Sequence, residues 1–396
     1  MIQDDSMRWK NWSGRQEAAL KSLVFVRSEE DARALIRQCA GTGKTIRAAG
    51  AGHSHSPLVN SDSIIIDSSG LAGILEVDIL NQEAWVRSGS SIYSLGANLC
   101  EHGLALKNQG DIDRQFLAGA ISTGTHGTGR KRQNLSAAVT GLFIVLASGE
   151  EIECSRFVNP DLFDVTRLGI GSSGFITRVK MKLQAREVLK EESYVLAFQE
   201  VNERISELEL ENDRFEFFWY PGSDNVNIKT INPVASEPEY PLAKEGSRVG
   251  WSHEVLPSHR PHLHTEMEYS VPAENGPKCF EEIRNLLRKR FPEVKWPVEY
   301  RTVAADEIWL SMAYARDVVT ISVHQDIREN EEPYFRACEE VFLLFDGRPH
   351  WGKLNYLSRE GLAKIYPRWN DWWHIRDKYD PEGMFLNEYT KGLQPR

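Results

Sequence analysis

Two glycine-rich segments constrain this chain of 396 residues more than any other feature of its sequence. The first is Gly50-Ala-Gly-His-Ser-His-Ser-Pro57, and the second is Gly119-Ala-Ile-Ser-Thr-Gly-Thr-His-Gly-Thr-Gly129. Side chains this small let the backbone approach a ligand closely, and successive backbone N–H groups can then bind an anion. The two segments therefore predict backbone that surrounds a phosphate-bearing ligand.

Neither segment follows a standard nucleotide-binding pattern. Gly41-Thr-Gly-Lys-Thr45 resembles the end of a P-loop, but Gln38 stands where that motif requires its first glycine, and the segment follows a helix instead of a strand. In Gly50-Ala51-Gly52, the third glycine of a dinucleotide fingerprint is replaced by His55, and no helix is expected to follow. Two glycine-rich loops without either pattern suit an extended cofactor such as FAD.

The spacing of apolar residues predicts an α+β chain without repeated βαβ units. Charged residues become more frequent near Glu187, where the glycine-rich loops end, and this change predicts a domain boundary close to residue 186. The predicted helices cover 29–40, 91–102, 279–290 and 333–345, and the predicted strands cover 45–49, 63–67, 73–77, 84–88, 139–147, 151–154, 175–183 and 318–324.

Composition and charge exclude several classes of partner. Hydrophobic residues make up 41% of the chain and charged residues 26%, which is typical of a globular protein. The formal net charge of -10 argues against nucleic acid or an anionic membrane as a partner. No apolar run approaches the length that spans a bilayer, and residues 1–12 are polar, so we expect a cytoplasmic protein. The sequence does not indicate an oligomeric state.

The cysteines and histidines do not indicate a metal site. The five cysteines are widely spaced, without a Cys-x-x-Cys pair, and predict neither a disulfide framework nor a zinc site. His53 with His55, and His262 with His264 near Glu266, have the spacing of metal-ligand pairs, but no His-Glu-x-x-His is present. We expect no metal, and ordinary surface or core positions for His262 and His264.

Several motifs together carry a family resemblance that extends over nearly the whole chain. They are Asn11-Trp-Ser13, Gly50-Ala-Gly-His-Ser54, the segment 119–129, Met267-Glu-Tyr-Ser-Val-Pro272, Glu299-Tyr-Arg301 and His350-Trp-Gly-Lys353. This set resembles the aldonolactone oxidase and alditol oxidase branch of the vanillyl-alcohol oxidase flavoproteins. The resemblance implies a PCMH-type FAD-binding domain of two α+β subdomains over 1–186. It also implies a substrate or cap domain on an antiparallel sheet over 187–370, and a C-terminal segment, 371–396, that returns to the FAD-binding domain.

The resemblance further implies that FAD is attached covalently through His53, with His55 as a nearby competitor. A neutral imidazole is a competent nucleophile toward the flavin methyl group. The open alternative is a His53 that only hydrogen-bonds the cofactor. The expected cofactor-binding residues are Ala49, Gly50, Ala51, Gly52, His53, Ser54, His55 and Ser56, then Gly119, Ala120, Ser122, Thr123, Gly124, Thr125, His126 and Gly127, and finally Gly174, Ile176 and Lys353.

Four residues are expected to act on the substrate. Strand alternation places Glu299 and Arg301 on one face of a strand, with Tyr300 on the other. The resemblance implies that this Glu-x-Arg pair holds substrate hydroxyls, and that His324 and Lys353 lie beside substrate and flavin. A structural ion pair on a sheet stays the alternative for Glu299 and Arg301.

The expected function is the oxidation of a CH–OH group in a sugar-derived aldonolactone or alditol. Hydride would pass to flavin N5, and oxygen or another acceptor would reoxidise the flavin. Three alternatives stay open: a flavoprotein oxidase of the same fold that acts on a non-sugar alcohol, a catalytically idle flavin-binding or sugar-binding protein, and, least favoured, a metal hydrolase.

Overall fold

The structure is a computed structural model that describes residues 7–395. Four β-sheets and four α-helices form its N-terminal part. Numbered in chain order, they are β1 Met7–Lys10, β2 Glu17–Leu20, β3 Ser22–Phe25, α1 Glu29–Cys39, β4 Ile46–Ala49, β5 Ile64–Asp67, β6 Ile74–Asp78, β7 Glu83–Arg87, α2 Ile92–Glu101, β8 Leu104–Ala105, α3 Leu117–Thr123, β9 Val139–Val145, β10 Glu151–Ser155, α4 Pro160–Thr166, β11 Phe175–Lys182 and β12 Gln184–Ala185. A short 3-10 helix covers Leu135–Ala138.

The first subdomain is a parallel sheet in the order β3-β5-β4, with α1 packed against it. Ser28 begins α1 by accepting a hydrogen bond from the Asp31 N–H, while the Asp31 carboxylate accepts one from the Ser28 N–H. Ile36 and Cys39 bury one helix face in the core. Strand β4 then leads directly into the first glycine-rich segment.

The second subdomain contains the antiparallel sheet β10-β9-β11-β7-β6 together with α2, α3 and α4. The strands predicted at 73–77 and 84–88 correspond to β6 and β7, which pair with each other, and those predicted at 139–147 and 151–154 correspond to β9 and β10, which also pair. Strand β11 lies at the centre of this sheet, between β9 and β7.

The second glycine-rich segment was expected to be a loop along its whole length, but part of it is helical. Residues 117–123 form helix α3, which ends at Gly124 in the left-handed conformation at φ 76°. The small residues of this stretch are compatible with a helix, and only Gly124 adopts the left-handed turn without strain. Backbone close to a ligand is therefore supplied partly by a helix and partly by the loop that follows.

The C-terminal part is built on an eight-stranded antiparallel sheet in the order β16-β13-β15-β14-β18-β19-β17-β20. Its strands are β13 Val188–Ala197, β14 Arg214–Trp219, β15 Asn225–Pro233, β16 Val249–Trp251, β17 His264–Pro272, β18 Val298–Val303, β19 Val318–Asp326 and β20 Arg348–Pro349. The helices are α5 Phe198–Glu211, α6 Ser252–Val255, α7 Gly276–Arg290, α8 Glu332–Leu344, α9 Arg359–Ile365, α10 Trp369–Tyr379 and α11 Glu388–Leu393. A second 3-10 helix covers Ala273–Asn275.

The two faces of the large sheet have different roles. Helices α5, α7 and α8 pack on one face and bury apolar side chains such as Phe217, Met267 and Tyr300. The residues that alternate with these are polar, among them Glu216, Glu266 and Arg301, although they are also buried. This polar face is the one that lines a cavity.

The chain passes from the N-terminal sheets to the large sheet between β12 and β13, close to the predicted boundary at residue 186. The C-terminal residues then pack into the core of the N-terminal part, through Trp351 in a loop and through Trp369, Trp372 and Trp373 of α10. The division into 1–186, 187–370 and 371–396 stays a prediction. Among residues 7–395, no helix is both long enough and apolar enough to cross a membrane.

Candidate functional site

A cavity lies between the first glycine-rich segment, helix α3 and residues 170–176, and we name it the loop cavity. Gly50, Gly52 and His53 line one side of it, and Gly119 and Thr123 line another. The N-terminal residues fix the first segment from outside: the Trp12 N–H donates to Gly52 O at 2.8 Å, and Asn11 Nδ2 donates to Ser54 O at 2.9 Å. These contacts give the Asn11-Trp-Ser13 motif a structural role.

The backbone of the loop cavity is arranged to receive an anion. Within residues 7–395, the four consecutive N–H groups of 51–54 have no hydrogen-bond acceptor. Gly52 adopts a φ of 71°, which L side chains rarely adopt. Successive unpaired N–H groups of this kind suit a pyrophosphate.

Other atoms of the loop cavity also lack partners and fit a cofactor. The Ser88 hydroxyl and Gln115 Oε1 are buried without a hydrogen-bond partner in the described chain, and both residues line the cavity. A Cβ added to Gly119 would meet nothing within 4 Å, so open space adjoins the start of α3. Unpartnered N–H groups, orphaned polar side chains and open space together fit a ligand of the size and polarity of FAD.

The two histidines of the first segment face different surroundings. His53 lines the loop cavity, and its ring centroid lies 5.6 Å from that of Trp12. Burial and the nearby Lys353 ammonium lower the pKa of His53 to about 4, so its imidazole is neutral at pH 7. His55 points away from this cavity, towards Glu266 and the ring of His264.

A second cavity lies at the polar face of the large sheet, and we name it the sheet cavity. Register brings its residues together: Glu266 on β17 lies directly opposite His324 on β19. Glu299 and Arg301 share one face of β18, while Tyr300 lies in the apolar core on the other face, as alternation predicts.

Arg301 stands at the centre of a buried charge network. It contacts Glu299 at 2.5 Å, Glu216 at 3.0 Å and Asp111 at 3.2 Å. Lys229 contacts Glu216 at 2.9 Å and Asp111 at 3.4 Å. Burial, together with the neighbouring Glu216 and Asp111, raises the pKa of Glu299 to about 8 despite the adjacent guanidinium. Glu299 is therefore mostly protonated at pH 7, and it can donate as well as accept a hydrogen bond.

His324 is held in one tautomer by the backbone. Its Nδ1 lies 2.8 Å from Pro297 O, which can only accept, so Nδ1 carries the proton. Burial lowers the pKa of His324 to about 4, although Glu266 opposes this change. Nε2 is therefore an unprotonated acceptor at pH 7, in a residue that lines the sheet cavity.

A second histidine cluster lines the sheet cavity. His126 Nε2 lies 2.7 Å from Glu268, whose other oxygen accepts from the Ser322 hydroxyl at 2.8 Å. The ring of His350 lies 5.7 Å from that of His126, and burial lowers the pKa of His350 to about 4. His126 thus belongs to the wall between the two parts of the protein.

The two cavities meet at Lys353. Four residues line both of them: Gln115, Thr125, His350 and Lys353. The first glycine-rich segment holds the residues just before Lys353, because the His55 N–H donates to Gly352 O and the Ser56 hydroxyl donates to Trp351 O, each at 2.7 Å. Lys353 itself forms an ion pair with Glu266.

The structure brings together most residues that the sequence singled out. The loop cavity is lined by Ala49, Gly50, Ala51, Gly52, His53, Ser54, Gly119, Ala120, Ser122, Thr123, Thr125, Gly174, Ile176 and Lys353. The sheet cavity is lined by Thr125, His126, Glu299, Arg301, His324 and Lys353. Neither cavity is lined by His55, Ser56, Gly124 or Gly127.

Sequence reasoning missed several residues of the site. Arg47, Ser88 and Gln115 line the loop cavity, and Asp111, Arg260 and Glu268 line the sheet cavity. Glu268 lies within the motif 267–272, and its alternation with Glu266 along one strand is the signal that could have identified it. The others are isolated polar residues without any pattern, and only the tertiary contacts identify them.

The chain is similar along its whole length to known proteins. The family model of the FAD binding domain matches residues 20–155, and that of D-arabinono-1,4-lactone oxidase matches residues 242–393. The L-gulono-1,4-lactone dehydrogenase of Mycobacterium tuberculosis (strain ATCC 25618 / H37Rv) is 34% identical over 97% of this chain and 98% of its own. The L-gulonolactone oxidase of Mus musculus is 26% identical over 97% and 98% of the two chains, and so is the alditol oxidase of Streptomyces sp. (strain IKD472 / FERM P-14339).

Similarity of structure extends over the same length. A crystal structure of cholesterol oxidase from B. sterolicum superposes with a TM-score of 0.86, covers 98% of this chain and 96% of its own, and is 17% identical. At that identity it supports the fold alone, which confirms the predicted α+β architecture. The match along the whole chain to lactone and alditol enzymes confirms the resemblance noted in the motifs. The chain therefore belongs to the aldonolactone oxidase and alditol oxidase branch of the vanillyl-alcohol oxidase family of FAD flavoproteins.

Proposed function

We propose that this FAD-dependent oxidoreductase oxidises a CH–OH group of a sugar-derived aldonolactone or alditol. One observation carries the proposal: a cavity suited to FAD meets, at Lys353, a second cavity whose wall is the polar face of a sheet. Charged and hydrogen-bonding groups line that second cavity, which favours a polyhydroxylated substrate over a less polar alcohol.

Residues of the loop cavity would hold the cofactor. The N–H groups of 51–54 would bind its pyrophosphate, while Gln115, Thr125 and Lys353 would lie beside the part that faces the sheet cavity. When bound, FAD accepts the hydride that leaves the carbon bearing the hydroxyl group.

The residues of the sheet cavity would bind and orient the substrate. Arg301, fixed by three carboxyl groups, donates hydrogen bonds to substrate oxygens, and protonated Glu299 can donate one as well. His324 Nε2 accepts a hydrogen bond from the reacting hydroxyl and can receive its proton. The Lys353 ammonium offsets negative charge that develops where the two cavities meet.

Covalent attachment of FAD through His53 is part of this proposal. A bond from the imidazole nitrogen to the flavin methyl carbon would replace one N–H and one C–H bond. The two protons would leave, and the two electrons would pass to the flavin and on to the acceptor that reoxidises it. His53 has a neutral imidazole and lines the loop cavity, whereas His55 faces the sheet side. Oxygen or another acceptor would reoxidise the flavin. A cytoplasmic location stays a prediction from the sequence.

A substrate panel tests the proposed function. The purified protein should show flavin absorption, and anaerobic addition of an aldonolactone or an alditol should bleach it. Readmitted oxygen then separates an oxidase, which recovers its colour, from an enzyme that needs another acceptor. Bleaching by non-sugar alcohols alone would favour the alternative substrate class, and no bleaching by any compound would favour an idle binding protein.

A further inference from the structure

Glu266 is the buried carboxylate on which the cations and imidazoles at the junction of the cavities converge. Lys353 forms an ion pair with its Oε2. His264 and His55 lie 3.6 and 3.8 Å from the same oxygen, and His324 lies 3.7 Å from Oε1. The Glu266 side chain is only 8% exposed, so water can replace few of these contacts.

Lys353 is the partner that fixes the charge of Glu266. The three histidine contacts exceed hydrogen-bond length, and burial keeps His55 and His324 neutral by lowering the pKa of each. Burial alone would raise the pKa of Glu266, but the Lys353 ammonium holds it well below its usual range. A charged carboxylate at this depth requires a charged partner, and Lys353 supplies it.

The backbone brings the two side chains together. Residues 350–354 run beside β17, with the His350 N–H donating to Glu268 O at 3.0 Å and the Leu354 N–H donating to Glu266 O at 2.9 Å. Glu266 therefore lies next to Lys353 through main-chain as well as side-chain contacts. Without the carboxylate, the flexible lysine stem has no hydrogen-bond partner in the described chain to hold its ammonium at the junction.

We propose that Glu266 is a positioning residue that holds Lys353, as a charged ammonium, at the point where the cofactor and substrate cavities meet. The importance of Glu266 for flavin chemistry rests on the proposed function, whereas its effect on Lys353 does not depend on that function. The ionisable groups that face Lys353 from the elements around it are His53, His55, His264, Glu266, Glu268, His324 and His350. The five histidines among them add no negative charge, so Glu266 and Glu268 are the carboxylates of this set.

Glu268 cannot replace Glu266 in this role. Its two oxygens are already bound by His126 and by the Ser322 hydroxyl. Removal of the Glu266 charge therefore leaves the Lys353 ammonium half-buried without a hydrogen-bonded anion. An ammonium in that position loses its proton more easily.

The direct test measures the pH dependence of Lys353 reactivity. Competitive labelling with acetic anhydride, read by mass spectrometry of the Lys353 peptide, gives the midpoint at which this amine becomes reactive. In Glu266→Gln the midpoint should move to lower pH by about one to three pH units, the usual effect of one adjacent charge. In Glu266→Asp, which keeps the charge, the labelling midpoint of Lys353 should lie close to that of the wild type.

Glu339→Gln is the matched control. Glu339 is a buried carboxylate on α8 that accepts hydrogen bonds from the Tyr269 hydroxyl and the Tyr356 N–H, on the other side of the large sheet. Its replacement should leave the Lys353 midpoint unchanged. A folded Glu266→Gln protein with the wild-type midpoint would overturn the proposal, because Lys353 would then need no carboxylate.

The bound flavin provides a second readout. In Glu266→Gln, a redox titration against pH should show an additional inflection at the Lys353 midpoint, which is absent from the wild type and from Glu266→Gln/Lys353→Met. A merely structural role for Glu266 would change flavin content without this inflection. A protein that binds no flavin would contradict the proposed function and leave the labelling result standing.

If Glu266→Gln folds poorly, its stability can be compared with that of Glu266→Gln/Lys353→Met, and this comparison also tests the proposal. If an unpaired Lys353 is what destabilises Glu266→Gln, the double variant with Lys353→Met should fold better, because it removes both charges. A double variant as unstable as the single variant would count against Glu266 as the counter-ion of Lys353.

Discussion

At the scale of single residues, His53 and His55 are two positions apart and face different surroundings. Only His53 lines the loop cavity, and burial keeps its imidazole neutral. We expect acid precipitation of the wild-type protein to leave yellow colour in the pellet, and the His53→Ala protein to release that colour into the supernatant. The absorbance of pellet and supernatant measures the bound fraction.

His55→Ala serves as the control for this prediction. Because His55 is directed at Glu266, its replacement should retain pellet-bound flavin. Flavin found entirely in the wild-type supernatant would refute covalent attachment but not FAD binding. If His55→Ala released the flavin and His53→Ala did not, the attachment would be through His55 instead of His53.

Arg301 tests the substrate side of the site. It lies in the sheet cavity, outside the lining of the loop cavity, so Arg301→Ala should retain normal flavin content. Loss of an interaction that stabilises developing charge should lower turnover by about 10²–10³-fold. Anaerobic flavin reduction by substrate measures this rate. Near wild-type reduction would make the Glu299–Arg301 pair an ordinary structural ion pair.

Glu299 should impose a pH dependence on the same reaction. Its raised pKa of about 8 means that the protonated form, a hydrogen-bond donor, predominates below pH 8 and is lost above it. We expect flavin reduction to slow as pH rises through about 8 in the wild type. Glu299→Gln, which keeps a donor at every pH, should lack this step, and a step that persists would assign it to another group.

At the scale of elements, helix α3 contributes to the cofactor site through Gly119. A Cβ at this position meets nothing within 4 Å, so Gly119→Leu should not disturb the fold, and a helical glycine replaced by another residue gains about 0.5–1 kcal/mol. The longer side chain would enter the loop cavity, and an overlap that costs about 1–3 kcal/mol lowers cofactor affinity about 5–150-fold. Flavin content and the urea midpoint measure the two effects.

Gly392 provides the matched helical glycine. It is an exposed residue of α11, and an added Cβ there also meets nothing within 4 Å. Gly392→Leu should retain full flavin content. Normal flavin content in Gly119→Leu as well would place the cofactor away from the start of α3.

At the scale of the whole molecule, buried neutral histidines should limit stability in acid. Burial lowers the pKa values of His324 and His350 to about 4, below the usual 6.5. Their contribution to stability is present above pH 6.5 and is lost as pH falls towards 4. At pH 5, each of these histidines should lower the free energy of unfolding by up to about 2 kcal/mol relative to pH 8. Urea unfolding at pH 8, 6.5 and 5 measures the loss.

An exposed histidine separates this effect from acid sensitivity in general. His102 lies at the exposed end of α2, so His102→Gln should show the wild-type dependence of unfolding free energy on pH. His324→Gln should have a weaker dependence between pH 6.5 and 5. Equal dependence in both variants would contradict the assignment to buried imidazoles.

The sequence alone determined those features that depend on neighbours a few residues apart. Apolar spacing located α1 and the β9–β10 hairpin, and strand alternation placed Glu299 and Arg301 on one face, because side-chain direction repeats with the local backbone. The motifs were enough to indicate the family, FAD and the oxidoreductase class, all of which the comparisons confirmed.

Tertiary structure alone decided which residues meet across the site. The contact between Lys353 and Glu266 joins positions 87 residues apart, and it depends on the path of residues 350–354 beside β17. The opposite directions of His53 and His55 likewise follow from what packs against the loop, since both lie in the same small-residue sequence. Local patterns specify the backbone of each element, whereas the partner of a buried charge is set by sheet register and domain packing, which no short stretch of sequence encodes.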